Sequence, residues 1–163
     1  MVSQSGEYQL LGFDLSTHFP EDMIVLEKFT PKKPLSAIYW DGSKSKYFVK
    51  RFLVEPSDKK VSFISDAQGS YLEVVSYDIR PVAEIEFIKE RNKDQRPNLQ
   101  INFETFISVK GLKAQGNTLT TYKVKSISLI ESLQPPSEDV LPDKATKDND
   151  VNDDGQSQII FDF

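Results

Sequence analysis

Apolar and polar residues alternate with period two through most of positions 1–131. The runs "EYQLLGF", "LSAIYW", "KYFVKRFLV", "KVSFIS", "SYLEVVS", "PVAEIEFI", "LQINFE" and "LTTYKVKSISLIE" are short, rich in β-branched and aromatic residues, and bounded by turn formers. Such segments suit a pleated, half-buried surface, so the pattern predicts an all-β fold of about eight strands. Asp41-Gly42 separates two runs and predicts a hairpin turn, and Gly116-Asn117 predicts another before the last run. In that last run Tyr122, Val124, Ser126, Ser128 and Ile130 share one face, and Thr121, Lys123, Lys125, Ile127 and Leu129 the other. Both faces are mixed, which predicts a bulge or an edge position. One helical turn is predicted in "STHFPEDMI", with Ser16 or Thr17 as its cap and Glu21 and Asp22 near the positive end of its dipole.

The alternation stops after Glu131, and the charge changes with it. Residues 1–131 carry 18 Lys and Arg against 17 Asp and Glu, whereas residues 132–163 carry 2 against 8, so the net charge of -5 divides into +1 and -6. The stretch "SLQPPSEDVLPDKATKDNDVNDDGQSQIIFDF" has too little apolar surface to offset the entropy of ordering it. The expected organisation is a folded unit over 1–132 and a disordered acidic tail over 133–163. With no cysteine and one histidine, His18, disulfides, thiolate metal sites and most zinc or iron chemistry are excluded. No run approaches the roughly 18 apolar residues of a membrane span. The start "MVSQSGEYQL" lacks the basic and apolar regions of an export signal, so a cytoplasmic protein is expected.

The chemistry concentrates in "FISVKGLKAQGNTLTTYKV", residues 106–124, where Gly111 and Gly116 have the spacing of a phosphate-cradling loop. Asn117 stands where that loop needs its lysine, and a strand follows where it needs a helix, so ATP binding is not supported. The stretch reads instead as a hairpin in which both glycines supply positive φ. Lys110, Lys113, Lys123 and Lys125 have no acid among them from Thr105 to Ser128, and an unpaired basic hairpin suits nucleic-acid phosphates. A weak repeat aligns Tyr47, Val49, Lys50 and Phe52 with Tyr122, Val124, Lys125 and Ile127 at an offset of 75 residues, as in a propeller-like array. It adds Lys50 and Arg51 to the candidate DNA contacts, which are then Lys50, Arg51, Lys110, Lys113, Lys123 and Lys125. "TPKKP", with Lys32 and Lys33, is a second patch, while "KERNKDQR" over 89–96 is mixed in sign and reads as a solvated loop. "DVNDDG" opens like a calcium loop but has Phe161 where the bidentate Glu is needed. Glu84 and Glu86 share a strand face without a third group to complete a catalytic site, and His18 has no evident partner.

Taken in order, "GFDLSTHFPEDMIVLEKFTP", "KYFVKRFLVE", "VSFISD" and "FISVKGLKAQGNTLTTYKV" resemble the end of the A subunit of bacterial type IIA topoisomerases, of the Bacteroidetes topoisomerase IV/gyrase-like type, over roughly residues 7 to 131. The resemblance implies a C-terminal β-pinwheel, a disc of four-stranded blades that binds or wraps duplex DNA on a basic rim. It places the catalytic tyrosine in a separate region of the A subunit and the ATPase, with its ATP and magnesium, in the B subunit. It therefore implies no catalytic residue, cofactor or metal in this chain, a nucleoid-associated cytoplasmic location, and duplex DNA, the rest of the A subunit and the B subunit as partners. The Gln-Arg-Arg-Gly-Gly-Lys-Gly box of supercoiling gyrases is absent, "KGLKAQG" being at most a degenerate relative, so relaxation or decatenation is favoured over supercoiling. The folded unit holds two to three blades' worth of strands, fewer than a closed pinwheel, and is expected to be a fragment or to need preceding blades as neighbours. Acidic tails in such proteins imply competition with DNA for the same lysines. "QIIFDF", residues 158–163, resembles short peptides that dock on the bacterial sliding clamp. The alternative reading is a protein-interaction β module whose acidic tail recruits partners.

Overall fold

The computed structural model describes residues 1–131 apart from 13 and 15, and the tail, its calcium-like run and its terminal hexapeptide lie outside the described residues. Among the described residues the chain forms eleven strands and one helical turn. The strands are β1 (Val2–Ser3), β2 (Glu7–Tyr8), β3 (Met23–Val25), β4 (Pro34–Asp41), β5 (Lys46–Leu53), β6 (Val61–Ser62), β7 (Tyr71–Ser76), β8 (Val82–Phe87), β9 (Leu99–Asn102), β10 (Asn117–Thr118) and β11 (Val124–Ile130), with α1 at Phe103–Phe106. They assemble into three sheets, ordered β3-β1-β2-β6, β10-β5-β4-β7 and β11-β8-β9, in which every strand pairing is antiparallel.

The three sheets repeat one plan. The first strand of each (β1, β4, β8) is central, the second (β2, β5, β9) pairs on one side of it, and the third (β3, β7, β11) pairs on the other. Each pairing of first and third strands contains a one-residue bulge, which leaves Ile24, Glu73 and Lys125 opposite no partner. A short fourth strand, β6 or β10, completes the first two sheets and comes from the chain segment that builds the next sheet. Phe63 follows β6 and Leu119 follows β10, and both are buried anchors. The true repeat thus matches β11 with β7, so the 75-residue offset that equated β5 with β11 is a chance alignment.

The middle sheet is buried on both faces because alternate residues of β4 enter two different cores. Leu35, Ala37 and Tyr39 pack with Val2, Tyr8, Phe48, Phe52 and Phe63, and Ile38 packs with Val49, Ala83, Ile85, Phe87 and Ile127. The third sheet presents a polar outer face instead, where Glu84 lies across from Ser128 and Gln100 and Glu86 from Ser126.

Eight strands coincide with the runs that alternation marked, and β11 is both bulged and at an edge, as its mixed faces implied. The helical turn predicted over 16–24 is absent. There the Asp14 carboxylate accepts from the Ser16 N–H at 3.0 Å, Met23 N–H bonds the Pro20 carbonyl at 3.1 Å, and the chain continues as β3 paired to β1. Proline fixes the local φ and sheet pairing then claims the following residues. The helical turn that does form follows Asn102, whose side chain accepts from Glu104 N–H at 2.9 Å.

Candidate nucleic-acid interface

Two of the six candidate contacts are inside the protein. In β5, Lys50 has the same parity as Phe48 and Phe52 and is directed into the first core, where it is 5% exposed. Its Nζ donates to the Phe63 carbonyl at 2.6 Å and lies 5.4 Å from the Phe52 ring centroid. Burial pushes its pKa down to about 8. Arg51, on the other face, sits across from Ser36 and is also buried. Desolvation lowers its pKa, and the Glu104 carboxylate, itself paired at 2.8 Å with Arg80, opposes that shift. Lys50 therefore offers no charge to a docked duplex, and Arg51, at 8% exposure, offers little.

Lys110, Lys113, Lys123 and Lys125 are exposed, but they do not share one hairpin. Residues 107–119 fold back along β5: Lys110 N–H bonds the Arg51 carbonyl at 2.9 Å, a turn closes from Ala114 N–H to the Gly111 carbonyl, and Leu119 N–H bonds the Tyr47 carbonyl at 2.9 Å. Gly116 is needed there, with φ +95° and a Cβ position only 2.1 Å from the Val49 oxygen, whereas Gly111 is not left-handed. Lys110 Nζ donates to Asn117 Oδ1 at 3.0 Å, and Lys44 Nζ reaches Gln115 Oε1 at 2.5 Å, two residues from Lys113. A cation-bearing flank on β5 results, with no helix to cradle a nucleotide.

The other two lysines belong to the third sheet. Lys125 is its bulge residue and turns to Glu86, Nζ to Oε2 3.0 Å, which holds that carboxyl below its ordinary range. Glu84 accepts from Gln100 at 3.1 Å, so the two acids of β8 are tied to surface partners and not to each other. Lys123 is placed at the foot of the long β8–β9 connection, its carbonyl accepting from Ile88 N–H at 2.9 Å. That contact brings Lys123 to the 89–96 run, whose four cations outnumber its two acids, a proximity that spacing in sequence does not reveal. Lys33 of the second patch is engaged by Glu27 at 3.1 Å and by the Tyr77 ring.

A family model described as "Topoisomerase C-terminal domain, Bacteroidota" matches residues 1–131. The chain belongs to that family. The match spans all three sheets and ends where the alternating pattern ends, so the topoisomerase C-terminal domain and the described fold are the same stretch of chain. No curated protein and no solved structure matches the chain. Among the described residues of this topoisomerase C-terminal domain, no helix is long and apolar enough to cross a membrane.

Proposed function

We propose that this domain is the non-catalytic DNA-binding element of a type IIA topoisomerase A subunit, a partial β-pinwheel that guides duplex DNA for relaxation or decatenation. The observation that carries the reading is the coincidence of a topoisomerase C-terminal family with solvent-exposed cations at Lys110, Lys113, Lys123 and Lys125, in or beside the second and third sheets. Contacts of this kind neutralise phosphates without reading bases, and what they select is backbone geometry and bendability. Catalysis, ATP and magnesium then belong to other parts of the enzyme, with the remainder of the A subunit and the ATPase B subunit as partners, and the acidic tail over 133–163 modulates the contact.

The test is fluorescence anisotropy of the full chain with a labelled duplex across a salt series. Affinity falls linearly in log-log form with a slope of about -0.9 per phosphate neutralised. Absence of binding at low salt would sink the reading. A protein-interaction function would then be favoured, resting on the exposed Phe19, Ile24 and Leu26 and the apolar groove of about 460 Å³ beside them.

A further inference from the structure

The β8–β9 connection, residues 88–98, is exposed along its whole length, yet it is not loosely built. A turn from Lys93 N–H to the Glu90 carbonyl reverses the chain, with Asn92 at φ 64°. On the returning limb Gln95 Nε2 donates to the Phe87 carbonyl at 3.0 Å. Arg96 then lies with its guanidinium carbon 3.5 Å from the Tyr122 ring centroid and 5.9 Å from that of Phe87. Tyr122 meets Phe87 edge-on, with centroids 6.0 Å apart, and Phe87 belongs to the second core. One exposed guanidinium is therefore anchored to the hydrophobic core through an aromatic ladder.

Stacking occupies the face of a guanidinium and leaves its N–H edge available for planar oxyanions. The surrounding charge has the matching sign. Lys89, Arg91, Lys93, Arg96 and Lys123 stand against Glu90 and Asp94, giving five cations to two carboxylates. Glu90 is hydrogen-bonded by Lys93 and lies within electrostatic reach of Arg96 and Lys123, so these three cations gather around it, while Lys89 and Arg91 lie on the same exposed connection. Lys89, Arg91 and Lys123 form no ion pair among the described residues. The one pair present, Lys93 with Glu90, is exposed, and such pairs contribute little and are screened by salt. Exchanging it for a phosphate therefore meets little resistance.

We propose that this tip, Arg96 stacked on Tyr122 with Lys123 nearby and Lys89 and Arg91 on the same exposed connection, is a principal phosphate-binding element of the domain and takes the backbone of duplex DNA. The inference rests on the DNA-binding reading above and locates it away from the 107–119 segment. A stacked arginine loses little side-chain freedom when it engages a phosphate, whereas a free lysine loses more.

The experiment compares full-length wild type, a Lys89→Ala/Arg91→Ala/Lys123→Ala variant, a Lys110→Ala/Lys113→Ala variant and Arg96→Lys, by duplex anisotropy from ~50 to ~200 mM salt. The triple variant is expected to lose at least about tenfold in affinity at the lowest salt and to flatten the log-log slope by about 0.9 per contact removed. Arg96→Lys keeps the charge, so its slope is expected to stay near wild type while affinity drops several-fold. Thermal unfolding of each variant is expected to match wild type, because the substituted residues are exposed. Wild-type binding with an unchanged triple variant overturns the location alone, and wild type that fails to bind overturns the DNA reading with it.

Discussion

Lys50 provides the sharpest physical test, because its ammonium is buried and its pKa is lowered to about 8 against 10.5 for an exposed lysine. Below pH 8 the group is charged in both the folded and unfolded chain, and the folded state bears the full desolvation penalty. Above pH 10.5 it is neutral in both and the penalty is gone. Between these values the unfolded chain holds a proton that the folded chain has released, so stability rises with pH by about 1.4 kcal/mol per pH unit, or ~3 kcal/mol across the window. Lys50→Met keeps the length and apolar contacts of the stem but removes the charge. It also leaves the Phe63 carbonyl without the 2.6 Å donor, a loss of about 1–3 kcal/mol. At pH 7 the two effects oppose, so the variant is expected to match wild type within about 2 kcal/mol. From pH 8 to 10.5 the balance is expected to move steadily toward wild type by ~3 kcal/mol. Tyrosines such as Tyr39, which burial pushes up to about 12, titrate in both proteins and cancel in the difference. Urea unfolding of the pair at several pH values measures it. A difference that stays flat from pH 7 to 10.5 would refute the claim that the buried ammonium is destabilising.

Gly116→Ala places a Cβ 2.1 Å from the Val49 oxygen at φ +95°, and is expected to cost more than about 1 kcal/mol in urea unfolding. Phe52→Ala empties a fully buried site between Tyr8 and Phe63 and is expected to cost about 3–5 kcal/mol by the same assay. Lys50→Met is expected to bind duplex DNA as wild type does, because its charge never reaches the surface; a loss of affinity in a folded variant would contradict that placement. Removing residues 132–163, with their net charge of -6, is expected to tighten duplex binding at low salt and to make no difference at high salt, as read by anisotropy.

Alternation along the chain is enough to settle the class of the fold and most of its strands, because a half-buried strand writes its two faces into alternate residues. It also contained the key to Lys50, since Phe48, Lys50 and Phe52 fall on one face and a residue between two core phenylalanines is directed inward. What alternation could not express is that β5 belongs to a middle sheet with a core on each side, which buries Arg51 as well. Strands of two or three residues, β1, β3 and β10, are too short to show a period and exist only because a longer neighbour offers them hydrogen bonds. The basic tip is the extreme case. Arg96 and Tyr122 are far apart along the chain, and only the pairing of β8 with both β9 and β11 brings the guanidinium onto the ring and Lys123 beside it. Local pattern fixes which residues face inward, but charge convergence depends on contacts between distant segments, and those are decided by sheet topology.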